Sequence, residues 1–138
     1  MIRNILKSDY NGYISLLGTC ISNRRYDRFL DTVLGDTHVV LVVEVDKTIV
    51  GTGTLFIEEK MTYGGCKMGH VENVLVKEEY RRRGLGEELV ARLVDMAKEA
   101  GCYRVDLNCK ANLEHFYGKN GFIRRGLHMS TYIKENMQ

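Results

Sequence analysis

A short basic turn with two glycines carries the clearest chemical signal in this sequence. The turn, Arg81-Arg82-Arg83-Gly84-Leu85-Gly86, connects the apolar run Val74-Leu75-Val76 to a long amphipathic segment. The first turn of a helix offers unpaired backbone N–H groups at the positive end of the helix dipole. Glycine has no Cβ, so a ligand can come close to the backbone there. The pattern predicts a binding site for a phosphate or pyrophosphate group.

Three other interpretations of this turn were weighed against that one. A P-loop is excluded because no Gly-Lys-Ser or Gly-Lys-Thr follows the arginines. The dinucleotide pattern G-x-G-x-x-G is excluded because position 89 is leucine. An ordinary strand-to-helix connection with a solvated arginine run stays open. The position of the turn between a strand and the strongest helix pattern favours anion binding.

Two titratable side chains outside the turn have ordinary structural interpretations when the residues are taken alone. Tyr117 follows Phe116 in a short helical pattern, which is typical of a packing aromatic. Glu72 lies in an alternating strand, which is typical of a solvent-facing carboxylate. His70 is a lone strand histidine and receives no catalytic role. The histidines and the four cysteines show no metal-ligand spacing, so no metal site is expected.

Length and charge limit the class of protein. A chain of 138 residues fits a single domain over 1–138. The formal net charge is only +2, from 20 Lys+Arg and 18 Asp+Glu, so no nucleic-acid partner is expected. The longest apolar run, at 39–43, is far below the ~20 residues that span a bilayer, so no membrane insertion is expected. Without a signal peptide or a disulfide pattern, a reducing, cytoplasmic location is expected.

The elements that position these side chains follow from periodicity and turn residues. The clearest is an amphipathic helix over 85–100, ended by Gly101. The predicted order is β-α-α-β-β-β-α-β-α-β, a three-layer mixed α/β domain. Strands are predicted at 1–7, 38–45, 48–58, 67–76, 103–109 and 122–133, and helices at 8–17, 24–34, 85–100 and 113–119.

The sequence resembles the GCN5-related N-acetyltransferase (GNAT) superfamily. Arg-x-x-Gly-x-Gly at 81–86 is similar to its acetyl-CoA signature, and Phe116-Tyr117-Gly118-Lys119-Asn120-Gly121-Phe122 is similar to its F-Y-x-K-x-G-F segment. The resemblance implies the three-layer mixed-sheet acyl-CoA N-acyltransferase fold and acetyl-CoA as co-substrate.

Further segments resemble one branch of that superfamily, the glucosamine 6-phosphate N-acetyltransferases. Gly69-His70-Val71-Glu72-Asn73-Val74 is similar to G-H-I-E-D-[IV], and residues 101–109 are similar to G-C-Y-K-[IV]-x-L-D-C. Ile57-Glu58-Glu59-Lys60 resembles I-E-R-K, and the resemblance covers about residues 48–130. It implies transfer of an acetyl group to glucosamine 6-phosphate, giving N-acetylglucosamine 6-phosphate and CoA in UDP-N-acetylglucosamine biosynthesis.

The resemblance also implies roles for individual residues. Tyr117 is the phenol that faces the CoA sulfur, and Glu72 accepts from the sugar amine or a bridging water. The backbone near Val74 and Val76 holds pantetheine. The implied cofactor-binding residues are Val74, Leu75, Val76, Arg81, Arg82, Arg83, Gly84, Leu85, Gly86, Glu87, Tyr117 and Lys119. The implied substrate-binding residues are Glu72, Asn73, Asn108, Lys60, Tyr63, Tyr103 and Arg104.

Two positions depart from the family pattern. Asn73 and Asn108 stand where the family has aspartates, so the negative charge is lost while an acceptor oxygen remains. An acetyltransferase for another small amine or a protein N-terminus therefore stays open, as does a non-catalytic acetyl-CoA-binding module. The resemblance further implies a homodimer in which the last strand packs against, or crosses into, the second subunit and the active sites are shared.

Overall fold

The computed structural model describes residues 1–134, which fall into two compact units. The first unit is Met1–Leu107, and the second begins at Asn108. The expectation of a single domain over 1–138 stays a prediction. The first unit holds strands β1 (Ile2–Asn4), β2 (His38–Val45), β3 (Thr48–Glu59), β4 (Lys67–Val76) and β5 (Cys102–Asp106), with helices α1 (Tyr10–Leu17), α2 (Asn23–Thr32) and α3 (Leu85–Glu99); the second unit holds α4 (Glu114–Lys119).

A five-stranded sheet in the order β1-β2-β3-β4-β5 forms the centre of the first unit. All neighbouring strands are antiparallel except β4 and β5, which run parallel. Asp46 and Lys47 join β2 to β3, and both residues have positive φ, as a tight two-residue hairpin requires. This order and the mixed pairing confirm the predicted α/β fold class.

Two apolar layers cover the sheet because strand residues alternate between its faces. Leu41 and Val43 of β2 belong to a buried cluster with Leu89 and Leu93 of α3. Val40 and Val42, from the other face of β2, pack with Tyr26 of α2 and with partly buried residues of α1.

Gly53 of β3 allows α3 to come close to the sheet. A Cβ at Gly53 would lie 2.9 Å from Cδ1 of Leu93, which is closer than real side chains pack.

Within residues 1–134, no helix is long and apolar enough to cross a membrane.

The predicted last strand over 122–133 is wrong. The described residues from Phe122 onward contain no strand. A strand needs a hydrogen-bonded partner and a buried face, and this segment has neither among the described residues. Its apolar side chains are exposed at Ile123, Leu127, Met129, Tyr132 and Ile133.

Candidate functional site

In the first unit, β4 and β5 are paired along only part of their length. The two strands pair only from Lys67 opposite Cys102 to His70 opposite Asp106. β5 ends at Asp106, whereas β4 continues to Val76. The β4 backbone over 71–76 therefore has no β5 partner and can bond to an extended ligand. Along this stretch the side chains of Val74 and Leu75 are half-buried, and that of Val76 is buried.

A β-bulge bends β4 in the stretch that β5 does not pair with. Thr52 pairs with Leu75 and Thr54 pairs with Glu72, so Asn73 and Val74 both face the single residue between the two threonines. Asn73 has a φ of 54°, a left-handed conformation that asparagine and aspartate tolerate better than other non-glycine residues. Position 73 therefore has a backbone reason to hold either of these residues. The bulge turns β4 away from regular pairing, as bulges beside functional sites commonly do.

The glycine turn at the start of α3 has the geometry that the sequence predicted. Gly84 is the N-cap residue of α3 with a φ of 79°. A Cβ at Gly84 would meet no atom within 4 Å, so backbone conformation rather than protein packing requires glycine. The N–H groups of Leu85, Gly86 and Glu87 lie in the first helical turn, where no intrahelical acceptor exists. This turn can therefore bind an anion.

The three arginines of the turn have different surroundings. Arg81 donates from Nε to the Val76 carbonyl at 2.9 Å, which ties the turn to the end of β4. Arg83 lies over the Tyr80 ring, 4.8 Å from its centroid, and donates to the Glu79 carbonyl. Arg82 is exposed and has no side-chain hydrogen bond or ion pair to residues 1–134. Two arginines thus hold the turn, and Arg82 remains available to a ligand.

An aromatic pair joins the β3–β4 loop to β5. The rings of Tyr63 and Tyr103 stack with centroids 5.4 Å apart, although both side chains are largely exposed. Arg104 donates from Nε to Asp106 at 2.9 Å, and this hydrogen bond is the main cause of its raised pKa. The structure thus brings together Tyr63, Tyr103 and Arg104, three of the predicted substrate residues.

Lys60 directly follows the end of β3, and Glu72 lies on β4. The Lys60 Nζ is 3.9 Å from the Glu58 carboxylate. Glu72 is exposed and lies opposite Thr54 in the β3–β4 register. Sequence reasoning did not identify Glu58 as a site residue. Its Oε1 lies 2.9 Å from Nε2 of His70, a pairing that depends on the register of the hairpin.

The second unit carries Tyr117, Lys119 and Asn108. Tyr117 is buried and makes edge contacts with Phe116 and Phe122, with ring centroids 4.9 and 6.0 Å away. Burial raises the pKa of its phenol, so the hydroxyl stays protonated at neutral pH and can donate. Lys119 and Asn108 are both exposed.

No metal centre is visible in the part of the chain that the structure describes. Within residues 1–134, no three His, Cys, Asp or Glu side chains group together as metal ligands do. Cys20, Cys66, Cys102 and Cys109 are all free thiols. Burial raises the pKa of the Cys102 thiol, which makes it a poor nucleophile.

Comparisons with known proteins agree with this arrangement. The model of the acetyltransferase (GNAT) family matches residues 1–122. A glucosamine 6-phosphate N-acetyltransferase of Arabidopsis thaliana is 35% identical over 96% of this chain and 95% of its own length. The crystal structure of the glucosamine-6-phosphate N-acetyltransferase from Arabidopsis thaliana superposes with a TM-score of 0.93 at 34% identity, covering 97% of this chain and 98% of that one.

A rice relative shows higher identity over a shorter region. The probable glucosamine 6-phosphate N-acetyltransferase 2 of Oryza sativa subsp. japonica is 50% identical over 104 residues, 72% of this chain. The match spans 63% of the rice protein, which is less than two thirds of its length. The family model covers most of the chain, and the fold agrees with that of the Arabidopsis structure. The chain belongs to the GNAT family of acetyltransferases.

Proposed function

We propose that this chain transfers the acetyl group of acetyl-CoA to the amine of glucosamine 6-phosphate, giving N-acetylglucosamine 6-phosphate and CoA. One observation carries the proposal: the G-H-V-E-N-V motif lies where β4 leaves β5, with Glu72 exposed beside the bulge. Similarity to the named Arabidopsis enzyme over nearly the whole length of both chains supports the same substrate. The product would enter UDP-N-acetylglucosamine synthesis.

The residues of the first unit fit acetyl-CoA. The amides at the start of α3 and the exposed Arg82 suit the pyrophosphate, and the edge of β4 that β5 leaves uncovered over 74–76 suits pantetheine. When bound, acetyl-CoA supplies an acyl group activated as a thioester. Backbone N–H groups of β4 would also polarise the thioester carbonyl. The proposal includes contacts to acetyl-CoA from four further residues, Leu85, Gly86, Glu87 and Lys119.

Two side chains are assigned to proton transfer. Glu72 accepts an N–H of the substrate amine, directly or through water, and orients its lone pair. Tyr117 donates a proton to the leaving thiolate, and its raised pKa supports this role because the donor must be protonated. The thiolate is a tolerable leaving group, so the tyrosine accelerates the reaction without being indispensable.

The sugar phosphate is assigned to the loop between β3 and β4 and to the start of β5. Lys60 and Arg104 supply positive charge, and the stacked rings of Tyr63 and Tyr103 offer flat apolar surface to a sugar ring. Asn73 and Asn108 offer amide oxygens to the amine in place of carboxylates.

The proposal extends to a homodimer with shared active sites. The apolar side chains of the segment over 122–133 are largely exposed, from 76% at Ile123 to 94% at Leu127. An exposed apolar stretch of this length favours burial against another chain. A two-fold dimer would bury it twice and create two equivalent sites.

A thiol-release assay tests the function. Purified chain is given acetyl-CoA and, in separate reactions, glucosamine 6-phosphate, glucosamine, a polyamine, an aminoglycoside and a peptide N-terminus. We expect the highest kcat/KM with glucosamine 6-phosphate. Faster thiol release with another amine would disprove the substrate assignment, and acetyl-CoA binding without release for any amine would indicate a sensing module.

A further inference from the structure

One histidine lies beside the candidate site with a partner that the sequence did not reveal. Nε2 of His70 is 2.9 Å from Oε1 of Glu58, on the neighbouring strand β3. An ionised carboxylate can only accept a hydrogen bond, so Nε2 carries the proton. In the neutral ring, Nδ1 is then left as a free proton acceptor. Glu58 therefore holds His70 in one tautomer and stabilises its positive charge when the ring is protonated.

The sheet also fixes the place of the His70 ring. The ring stacks on Phe56, with centroids 5.9 Å apart and an interplanar angle of 25°. Its side chain is 30% exposed, so solvent reaches it. His70 and Glu72 are two residues apart on β4 and both pair regularly with β3, so their side chains point to the same face of the sheet.

We propose that His70, held by Glu58, accepts the proton that the substrate amine loses before it attacks. This inference rests on the proposed acetyl transfer. An ammonium substrate loses two protons on becoming an amide: one returns through Tyr117 to the leaving thiolate, and the other is released. The amine lone pair forms the C–N bond, and the C–S bonding pair leaves with the sulfur. His70 takes the released proton through water near Glu72 and passes it to solvent.

The charges around His70 agree with this role. Glu58 is the nearest, and Glu72 lies along the same strand. The other charged or titratable groups that face this row are Lys60 beside Glu58, Asp106 opposite His70 in register and paired with Arg104, and His38 on the far side of Phe56.

Replacing His70→Gln tests the proposal, because glutamine keeps polarity but does not titrate. We expect kcat/KM to fall by about 10²-fold or more, and its decline at acidic pH to disappear. Acetyl-CoA affinity and the melting temperature should stay at the parental values. His38→Gln is the matched control: it removes a second imidazole that packs at a tilt against Phe56, and it should keep the parental pH profile.

A second variant keeps the test decisive if His70→Gln folds poorly. Glu58→Gln keeps an acceptor oxygen for Nε2, whereas Glu58→Ala removes the acceptor and frees the ring to change tautomer. The loss of kcat/KM should therefore be larger in Glu58→Ala than in Glu58→Gln. A parental pH profile in folded His70→Gln, or equal kcat/KM in the two Glu58 variants, would overturn the role of His70.

Failure of this inference can be told apart from failure of the proposed function. If the parent acetylates glucosamine 6-phosphate and the variants behave as the parent, only the role of His70 is lost. If the parent prefers another amine, the variants are compared on that amine, which must lose the same proton. If no amine releases thiol, both proposals are overturned.

Discussion

Tyr117 is the side chain whose chemistry can be separated most cleanly from its packing. Its ring is buried between Phe116 and Phe122, and burial raises the pKa of its hydroxyl. The ring therefore serves the fold of the second unit, whereas the hydroxyl is available for chemistry. A variant that keeps the ring and removes the hydroxyl tests one role without disturbing the other.

Tyr117→Phe should lower kcat by about 10²-fold, and by no more than about 10⁴-fold, because a general acid is lost while the ring stays in place. Acetyl-CoA affinity should change little. Stopped-flow thiol release and calorimetric titration measure the two quantities. Phe116→Leu is the control for packing: it should lower stability before it lowers kcat. Parental turnover in Tyr117→Phe would assign the tyrosine to packing alone.

The asparagine at 108 can be tested by restoring a carboxylate. Asn108→Asp should raise kcat/KM for glucosamine 6-phosphate by about tenfold, which corresponds to ~1.4 kcal/mol of additional interaction with the amine. Asn108→Ala should lower it, because the acceptor oxygen is removed as well. Steady-state kinetics at several substrate concentrations separates the two constants. A decrease in Asn108→Asp would mean that the site prefers a neutral group there.

At the scale of elements, single backbone positions decide how α3 and α1 begin and end. Gly84 begins α3 with a φ of 79°, and Gly18 ends α1 with a φ of 65°. Neither position would bring a Cβ within 4 Å of another atom. Both glycines are therefore required by the left-handed backbone conformation. Gly84 lies at the predicted anion site, and Gly18 does not.

Gly84→Ala should weaken acetyl-CoA binding by about 1–3 kcal/mol, because the turn would give up the left-handed conformation that aims its amides. The same change should lower the free energy of unfolding by about 1–2 kcal/mol. Gly18→Ala is the matched control and should lower stability alone. Calorimetry and thermal melting check both variants. Unchanged acetyl-CoA affinity in folded Gly84→Ala would remove the pyrophosphate assignment.

A buried ion pair fixes the start of the first helical segment to the sheet. Asp9 precedes α1 at the N-cap position, yet its carboxylate does not cap that helix. Instead it accepts two hydrogen bonds from Arg3, at 2.8 and 2.9 Å, and one from the Leu6 backbone N–H. The Arg3 hydrogen bond is the main cause of the lowered pKa of Asp9.

Asp9→Asn should destabilise the fold by about 1.5–3 kcal/mol at neutral pH, the range for hydrogen bonds to charged groups. A lowered folded-state pKa stabilises the protein above the unfolded pKa of about 3.9. That stabilisation is lost as pH falls through the folded pKa, so the gap between parent and variant should close in acid. Asp31→Asn, which breaks the exposed pair with Lys7, should cost under about 1 kcal/mol. Urea unfolding from pH 7 to pH 2 measures this.

For the whole molecule, the exposed apolar segment after α4 decides the expected assembly. Sedimentation equilibrium should give twice the 15.8 kDa chain mass if the proposed dimer forms. Leu127→Glu with Met129→Glu should shift the equilibrium toward monomer, because both side chains are almost fully exposed within one chain. Leu6→Glu, half exposed elsewhere, is the control and should leave the mass unchanged. A monomeric parent would refute the dimer.

The sequence by itself determined most elements and the position of the glycine turn at the start of α3. The predicted bounds of β2 and β4 agree with the structure to the residue, and those of α3 differ by one residue. These elements have strong local signals: β-branched runs for the strands and an amphipathic period for the helix. The family was also identified from the sequence, because each of its motifs is contiguous in the chain.

Only the tertiary structure decided features that depend on register and partners. The left-handed Asn73, the pairing of His70 with Glu58 and the different surroundings of Arg81 and Arg82 all require neighbouring strands in a known register. A one-residue slip of the β3–β4 hairpin would turn His70 to the other face. The strand predicted over 122–133 is wrong for the same reason: an apolar segment forms a strand only where another strand binds its backbone.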